Sequence, residues 1–170
     1  KEYNTGIVFY PKQNIDVISY APLLHELASE GYITFLAKDY VINNKNVANV
    51  AYNSYDNVTE WYIGGHSSGG TAAADYLKDN HLKFSGLFLL SSYSNVDLSL
   101  TKLKFLSVYG DQDKILDMST YNKNLSNIGN NAIEHIIEGG NHSFFNDDTL
   151  ENDGSATITN KAQRELTIKY

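Results

Sequence analysis

Short apolar runs alternate with longer amphipathic ones along the whole chain, and this alternation restricts the fold more than any single motif. Gly6–Tyr10, Tyr32–Ala37, Trp61–Ile63, Leu87–Ser91, Lys104–Tyr109 and Ile133–Glu138 read as strands. Between them, Ala21, Leu23, Leu24, Leu27 and Ala28 keep a helical period over Ile18–Ala28, with Gly31 as a stop. Ser68–Leu77 reads as a small-residue helix, and further helices are expected over Ser119–Ile128 and from Thr159 to the C-terminus. Lys45–Asn57 also reads as helical, although Asn at 46, 49, 53 and 57 works against it. Strands alternating with helices predict βαβ units and hence an α/β fold. The expected form is a three-layer α/β/α sandwich around a mostly parallel sheet of about six strands. At 170 residues, with no linker, repeat or charge block, residues 1–170 form a single domain. In such sheets the chemistry collects at the carboxyl ends of the strands.

Composition removes several classes of function. With 42% hydrophobic and 19% charged residues the chain is not a disordered one, and no apolar run approaches the roughly 18 residues of a membrane helix. A net charge of −7 argues against nucleic acid as a partner, because phosphate-backbone binders carry a basic face. Cysteine is absent, which excludes disulfides, zinc fingers, iron–sulfur clusters and thiol nucleophiles. Arg164 is the single arginine, and its rarity beside abundant Lys, Asn and Tyr suggests a low-GC bacterial source.

Three predicted strand ends carry candidate chemistry. Gly65-His66-Ser67-Ser68-Gly69 matches the G-x-S-x-G nucleophile elbow and lies between a strand and a helix, where that turn must lie. The glycines two residues either side allow a strained turn that exposes the serine hydroxyl, so Ser67 is the nucleophile candidate; Ser68 would have His66 where a glycine is required. A phosphate loop is disfavoured, since Gly70 stands where its lysine belongs. A serine hydroxyl needs a base, and the base an orienting acid. His142 follows the strand ending at Glu138, whereas His25, His81, His135 and His66 fit a base less well. Asp111, Asp113 and Asp117 lie near the end of the preceding strand; Asp113 is preferred, with Asp111 as a turn residue. The order Ser, Asp, His is that of an α/β-hydrolase triad. For the oxyanion, the Ser68 amide at a helix start is one expected donor, and the loop after the first strand supplies the other. Pro11 has no N–H, which leaves the Lys12 amide, with the Tyr10 hydroxyl as the alternative polar group there and a candidate substrate contact. The acidic stretch 146–154 reads as a solvated loop. No metal-ligand spacing such as HExxH occurs, so neither metal nor organic cofactor is expected.

Taken in order, IVFYP, YAPLLHELASEGY, WYIGGHSSGG, VYGDQD, EGGNHSFF and DGSATIT resemble the small dienelactone-hydrolase-like branch of the α/β-hydrolase family over nearly the whole chain. The resemblance implies a minimal hydrolase without a large lid, with nucleophile, acid and base at Ser67, Asp113 and His142 and a small-molecule ester as substrate. Dienelactone hydrolases proper use a cysteine, which is missing here, so the lactone activity does not carry over. That branch also has glycine after its Tyr-Pro pair, where Lys12 and Gln13 stand. Its members often carry an N-terminal hydrophobic anchor. With Lys1 first and no cysteine, an extracytoplasmic parent protein, membrane-anchored or secreted, is therefore expected. Acyl transfer, peptide cleavage, or a catalytically silent binding protein of the same fold are the alternatives to ester hydrolysis.

Overall fold

The computed structural model describes residues 4–42 and 45–170. Strands β1 (Thr5–Tyr10) and β2 (Ile33–Leu36) pair in parallel, and a short antiparallel pair follows, β3 (Val41–Ile42) with β4 (Lys45–Asn46). Next come β5 (Glu60–His66), β6 (Gly86–Leu90), β7 (Lys104–Gly110) and β8 (Ile133–Ile137). The main sheet has six strands in the order β2-β1-β5-β6-β7-β8, all parallel. The chain therefore moves outward from β1 to β2 and then restarts on the other side of β1. This creates a crevice at the carboxyl ends of β1 and β5, the place where open α/β sheets bind ligands.

Residue parity assigns each side chain to a layer. On β1, Val8 and Tyr10 face a core shared with α2 (Val47–Ser54) and α3 (Ser68–Asn80), which contribute Ala48, Ala51, Ala73, Ala74 and Leu77. Phe9 points the other way, into a core with Leu23 and Leu24 of α1 (Ala21–Ser29) and with Leu166 and Ile168 of α5 (Asn160–Lys169). Helix α4 (Met118–Asn124) packs Tyr121 on Tyr109 at the β7 end of the sheet. The three-layer sandwich is as expected. Residues 91–103, joining β6 to β7, hold neither helix nor strand, and no described residues form a separate lid. No helix among the described residues is long and apolar enough to cross a membrane.

Two predicted elements change shape. The first helix starts at Ala21 rather than Ile18, because Asp16 caps a short 3-10 turn over Val17–Tyr20 and Pro22 is accepted only in a helix's first turn. The Lys45–Asn57 helix gives up its beginning to β4 and shortens to α2, since Asn46 adopts extended backbone and caps it by accepting the Ala48 amide.

Candidate active site

Ser67 lies between β5 and α3 with φ 54° and ψ −122°, a left-handed conformation costing a non-glycine residue about 1–3 kcal/mol. Neighbouring groups over-determine it. Its amide donates to the Leu90 carbonyl at the end of β6 (2.9 Å), and its carbonyl accepts the Ser92 hydroxyl (2.6 Å) and the Gly70 amide (3.1 Å). A serine in the N-cap position usually caps, but here the side chain makes no cap hydrogen bond and the hydroxyl is left for other work. The flanking glycines are demanded by β1: a Cβ on Gly65 would lie 2.1 Å from the Tyr10 carbonyl oxygen, and one on Gly69 2.0 Å from it.

The loop after β7 holds Asp113 and the loop after β8 holds His142, both side chains almost fully buried. Asp113 Oδ2 lies 2.9 Å from His142 Nδ1, while Oδ1 accepts the Ile115 and Leu116 amides, each at 2.8 Å. Burial pushes the Asp113 carboxyl up. The His142 imidazole, the Leu116 amide and the Ser91 hydroxyl outweigh that and hold it below its usual value. His142 Nε2 is buried and has no hydrogen-bond partner. Ser67 and His142 line one cavity of about 500 Å³, together with Gln13, Tyr40, Ser91 and Tyr93. That volume suits a small organic molecule.

Beneath His142 lies His66, fully buried, with ring centroids 4.6 Å apart. Its Nδ1 is 2.6 Å from the Tyr20 hydroxyl, and burial, reinforced by the neighbouring His142, keeps its pKa well below 6.5. His66 is thus turned away from Ser67 and stays a neutral floor to the site.

Two candidates from the first loop do not reach the cavity. The Lys12 amide is turned to the Tyr20 hydroxyl, to which it donates at 3.2 Å. Tyr10 is fully buried because β1 parity sends it into the α2/α3 core; there its ring stacks on Tyr40 and its hydroxyl bonds to Asn46. Gln13 lines the cavity instead, and its amide donates to the Ser68 hydroxyl at 3.0 Å. The Ser68 amide, first in α3, has no intrahelical acceptor.

Sequence reasoning also missed the groups that brace the loops. Asp153, expected in a solvated stretch, accepts the amides of Ser143 (2.8 Å) and Gly154 (2.7 Å) and the Ser143 hydroxyl (2.7 Å), with the Lys114 and His142 amides at 3.4 Å. It therefore ties the His142 loop to the Asp113 loop. Buried Gln163 of α5 exchanges two hydrogen bonds with the Asn141 backbone. Asp111 accepts the Gly139 amide at 2.8 Å. The signal for Ser91 and Ser92 is positional, a pair of serines at a parallel-strand end; nothing in the local sequence marks Asp153 or Gln163.

Fold and site geometry define an α/β enzyme scaffold with a serine elbow. The model of the alpha/beta hydrolase family matches residues 6–165, and the chain belongs to that family. None of the curated proteins compared matches it in sequence. Solved structures match it in fold. A CIB-like hydrolase from Thermoplasma acidophilum is 15% identical over 98% of this chain and 86% of its own, with a TM-score of 0.66. A thermophilic esterase from Thermogutta terrifontis is 16% identical over 99% and 82%, at 0.64. A monoacylglycerol lipase from Paleococcus ferrophilus is 10% identical over 96% and 92%, at 0.67.

Proposed function

We propose that this chain is a serine hydrolase acting on carboxylic esters, with Ser67 as nucleophile, His142 as general base and Asp113 as the orienting acid. The observation that carries this reading is the His142 imidazole: it is held at Nδ1 by Asp113, and its Nε2 is left unpartnered in the cavity it shares with the strained Ser67. Such an orphaned ring nitrogen is what a base waiting for a hydroxyl proton requires. The esterase and lipase among its structural neighbours are compatible with the choice of ester.

In this mechanism the Ser67 hydroxyl attacks the acyl carbon while His142 Nε2 takes its proton, and Asp113 stabilises the resulting imidazolium. The tetrahedral oxyanion is met by the Ser68 amide and, in place of Lys12, by the Gln13 amide, which exchanges the Ser68 hydroxyl for the stronger acceptor. His142 returns the proton to the departing alcohol, leaving Ser67 acylated. Water then attacks the acyl-enzyme, His142 takes the water proton, and the acid departs as the proton returns to Ser67. No step calls for a metal or cofactor.

A fluorophosphonate probe reads nucleophile activation without a guess at the substrate. The expected result is a stoichiometric adduct on Ser67 by mass spectrometry, absent in Ser67→Ala, with hydrolysis of short-chain neutral esters lowered about 10³-fold or more in that variant. A folded wild-type protein that takes no label would move the reading to a silent binding protein.

A further inference from the structure

The cavity that holds Ser67 and His142 continues along α3, and its far part carries charge that the hydrolytic steps do not use. Ser68, Thr71, Ala72 and Asp75 line it, at a spacing that puts them on one face of the helix. With a rise of about 1.5 Å per residue, Asp75 stands about 10 Å along the axis from Ser68. Its side chain leans back toward the start of the helix, as helical side chains do. The loop after Asp113 supplies Ile115, Leu116 and Asp117 to the same cavity. Ala72, Ile115 and Leu116 give the wall apolar surface, and the two aspartates give it negative charge.

Among the described residues, no lysine or arginine lines this cavity, so nothing cationic in its wall offsets the two carboxylates. Asp117 is fixed in its ionised form by the Ser119 amide (2.9 Å) and the Thr120 hydroxyl (2.7 Å) that it caps. Asp75 forms no salt bridge among the described residues, although Lys78 follows one turn along α3. Loss of water around Asp75 pushes its carboxyl up, and a carboxylate already short of water has less to give up when a cation arrives. Beyond Gln13 and Tyr40, which line both, a second cavity carries Lys12 and Lys38 with Asp39. Charge along the crevice therefore changes sign at that shared wall. Two polar side chains sealed into the first cavity, His142 and Ser91, are each 1% exposed, and His142 Nε2 and the Ser91 hydroxyl have no partner. Such groups mark a space shaped for a polar occupant.

We propose that the substrate is a cationic ester, with an ammonium group a short chain away from the carbonyl, and that Asp75 and Asp117 bind this group while Ser67 attacks the acyl carbon. This rests on the serine-hydrolase reading above and names a substrate class for it. The ammonium group takes no part in bond making or breaking; it holds the ester in register. At about 1.2 Å of reach per bond, five methylenes carry it about 7 Å from the carbonyl, and the aspartate side chain covers the rest of the way to Asp75. The lysines beyond Gln13 and Tyr40 repel a cation, which leaves the α3 side as its place. Tyr40 and Tyr93 add aromatic surface to the same cavity, which favours ammonium over a hydrocarbon group of equal size.

The test compares nitrophenyl hexanoate bearing a terminal trimethylammonium group with the same ester bearing an uncharged tert-butyl group of equal shape. A second pair, acetates of hexanol, carries the two groups on the alcohol. In one of the pairs kcat/KM is expected to be about tenfold higher for the cationic ester. Asp75→Asn and Asp117→Asn should each lower that ratio about threefold, and asparagine keeps the α4 cap. The ratio is taken within one protein, so a loss of folded enzyme cancels. Raising salt from about 0.1 M to about 1 M, which shortens the Debye length from about 10 Å to about 3 Å, should lower the wild-type ratio. Glu30→Gln is the control for net charge: Glu30 is exposed at the end of α1, where the chain enters β2 at the far end of the sheet, and the ratio should not change. Equal rates within both pairs, a ratio that neither aspartate variant lowers, or one that Glu30→Gln lowers as much, overturns this proposal and leaves the hydrolase standing. A wild type that takes no fluorophosphonate label removes the hydrolase reading and this one with it.

Discussion

A histidine sealed beneath another histidine ties part of the acid stability to one residue. His66 is fully buried between Tyr20, His142 and Phe145, with Asp113 and Lys12 the nearest charges acting on it. Its folded-state pKa is depressed, so below pH 6.5 the unfolded chain takes up a proton that the folded one refuses. Stability contributed by the neutral ring is therefore complete above 6.5 and lost as pH falls, by up to about 1.4 kcal/mol per pH unit. His66→Gln is expected to be less stable than wild type at pH 7.5, because the Tyr20 hydroxyl loses its partner. The gap should narrow from pH 6.5 to 5, since only the wild type carries the buried ring that refuses the proton. Urea midpoints at several pH values measure it, and a pH-independent gap would show that His66 is not the titrating group.

Between elements, the contact that matters most to the site is the end of β1 against the start of α3. The Tyr10 carbonyl occupies the space that side chains at Gly65 and Gly69 would need, and the helix can therefore bring the Ser68 amide up beside the crevice. Gly69→Ala would place a Cβ 2.0 Å from the Tyr10 oxygen and 2.5 Å from that of Pro11, both rigid backbone atoms. The expected cost is about 1–3 kcal/mol in stability, with a larger loss in Ser67 labelling, because helix and first loop must separate. Labelling retained at the wild-type rate would show that the oxyanion donors tolerate the shift. The G-x-S-x-G spacing is legible in the sequence because this steric demand falls on residues close together in the chain. The partner of the collision, a carbonyl some 55 residues upstream, leaves no such mark.

For the molecule as a whole, the single arginine closes the structure. Arg164 of α5 reaches Glu26 of α1 (3.4 Å) and Asp147 of the loop after His142 (2.7 Å), and its side chain is only 12% exposed. Arg164→Met keeps the packing stem and removes the pairing, and should lower stability by about 1.5–3 kcal/mol. The exposed pair Lys161–Glu165 on the same helix should contribute less than about 0.5 kcal/mol when Lys161 is replaced by alanine. Denaturant midpoints of the two variants test the contrast, and equal effects would contradict it. The strand–helix alternation, the elbow and the Ser, Asp, His order are readable from the sequence, because period, turn sterics and chain order are properties of neighbouring residues. Which groups complete the site is decided only by tertiary structure. Strand parity buries Tyr10, the Tyr20 hydroxyl takes the Lys12 amide from the crevice, and Asp153 and Gln163 meet the loops they brace. Those contacts join residues far apart in the chain, and the direction of a side chain or amide is fixed by what packs against it, which no local pattern records.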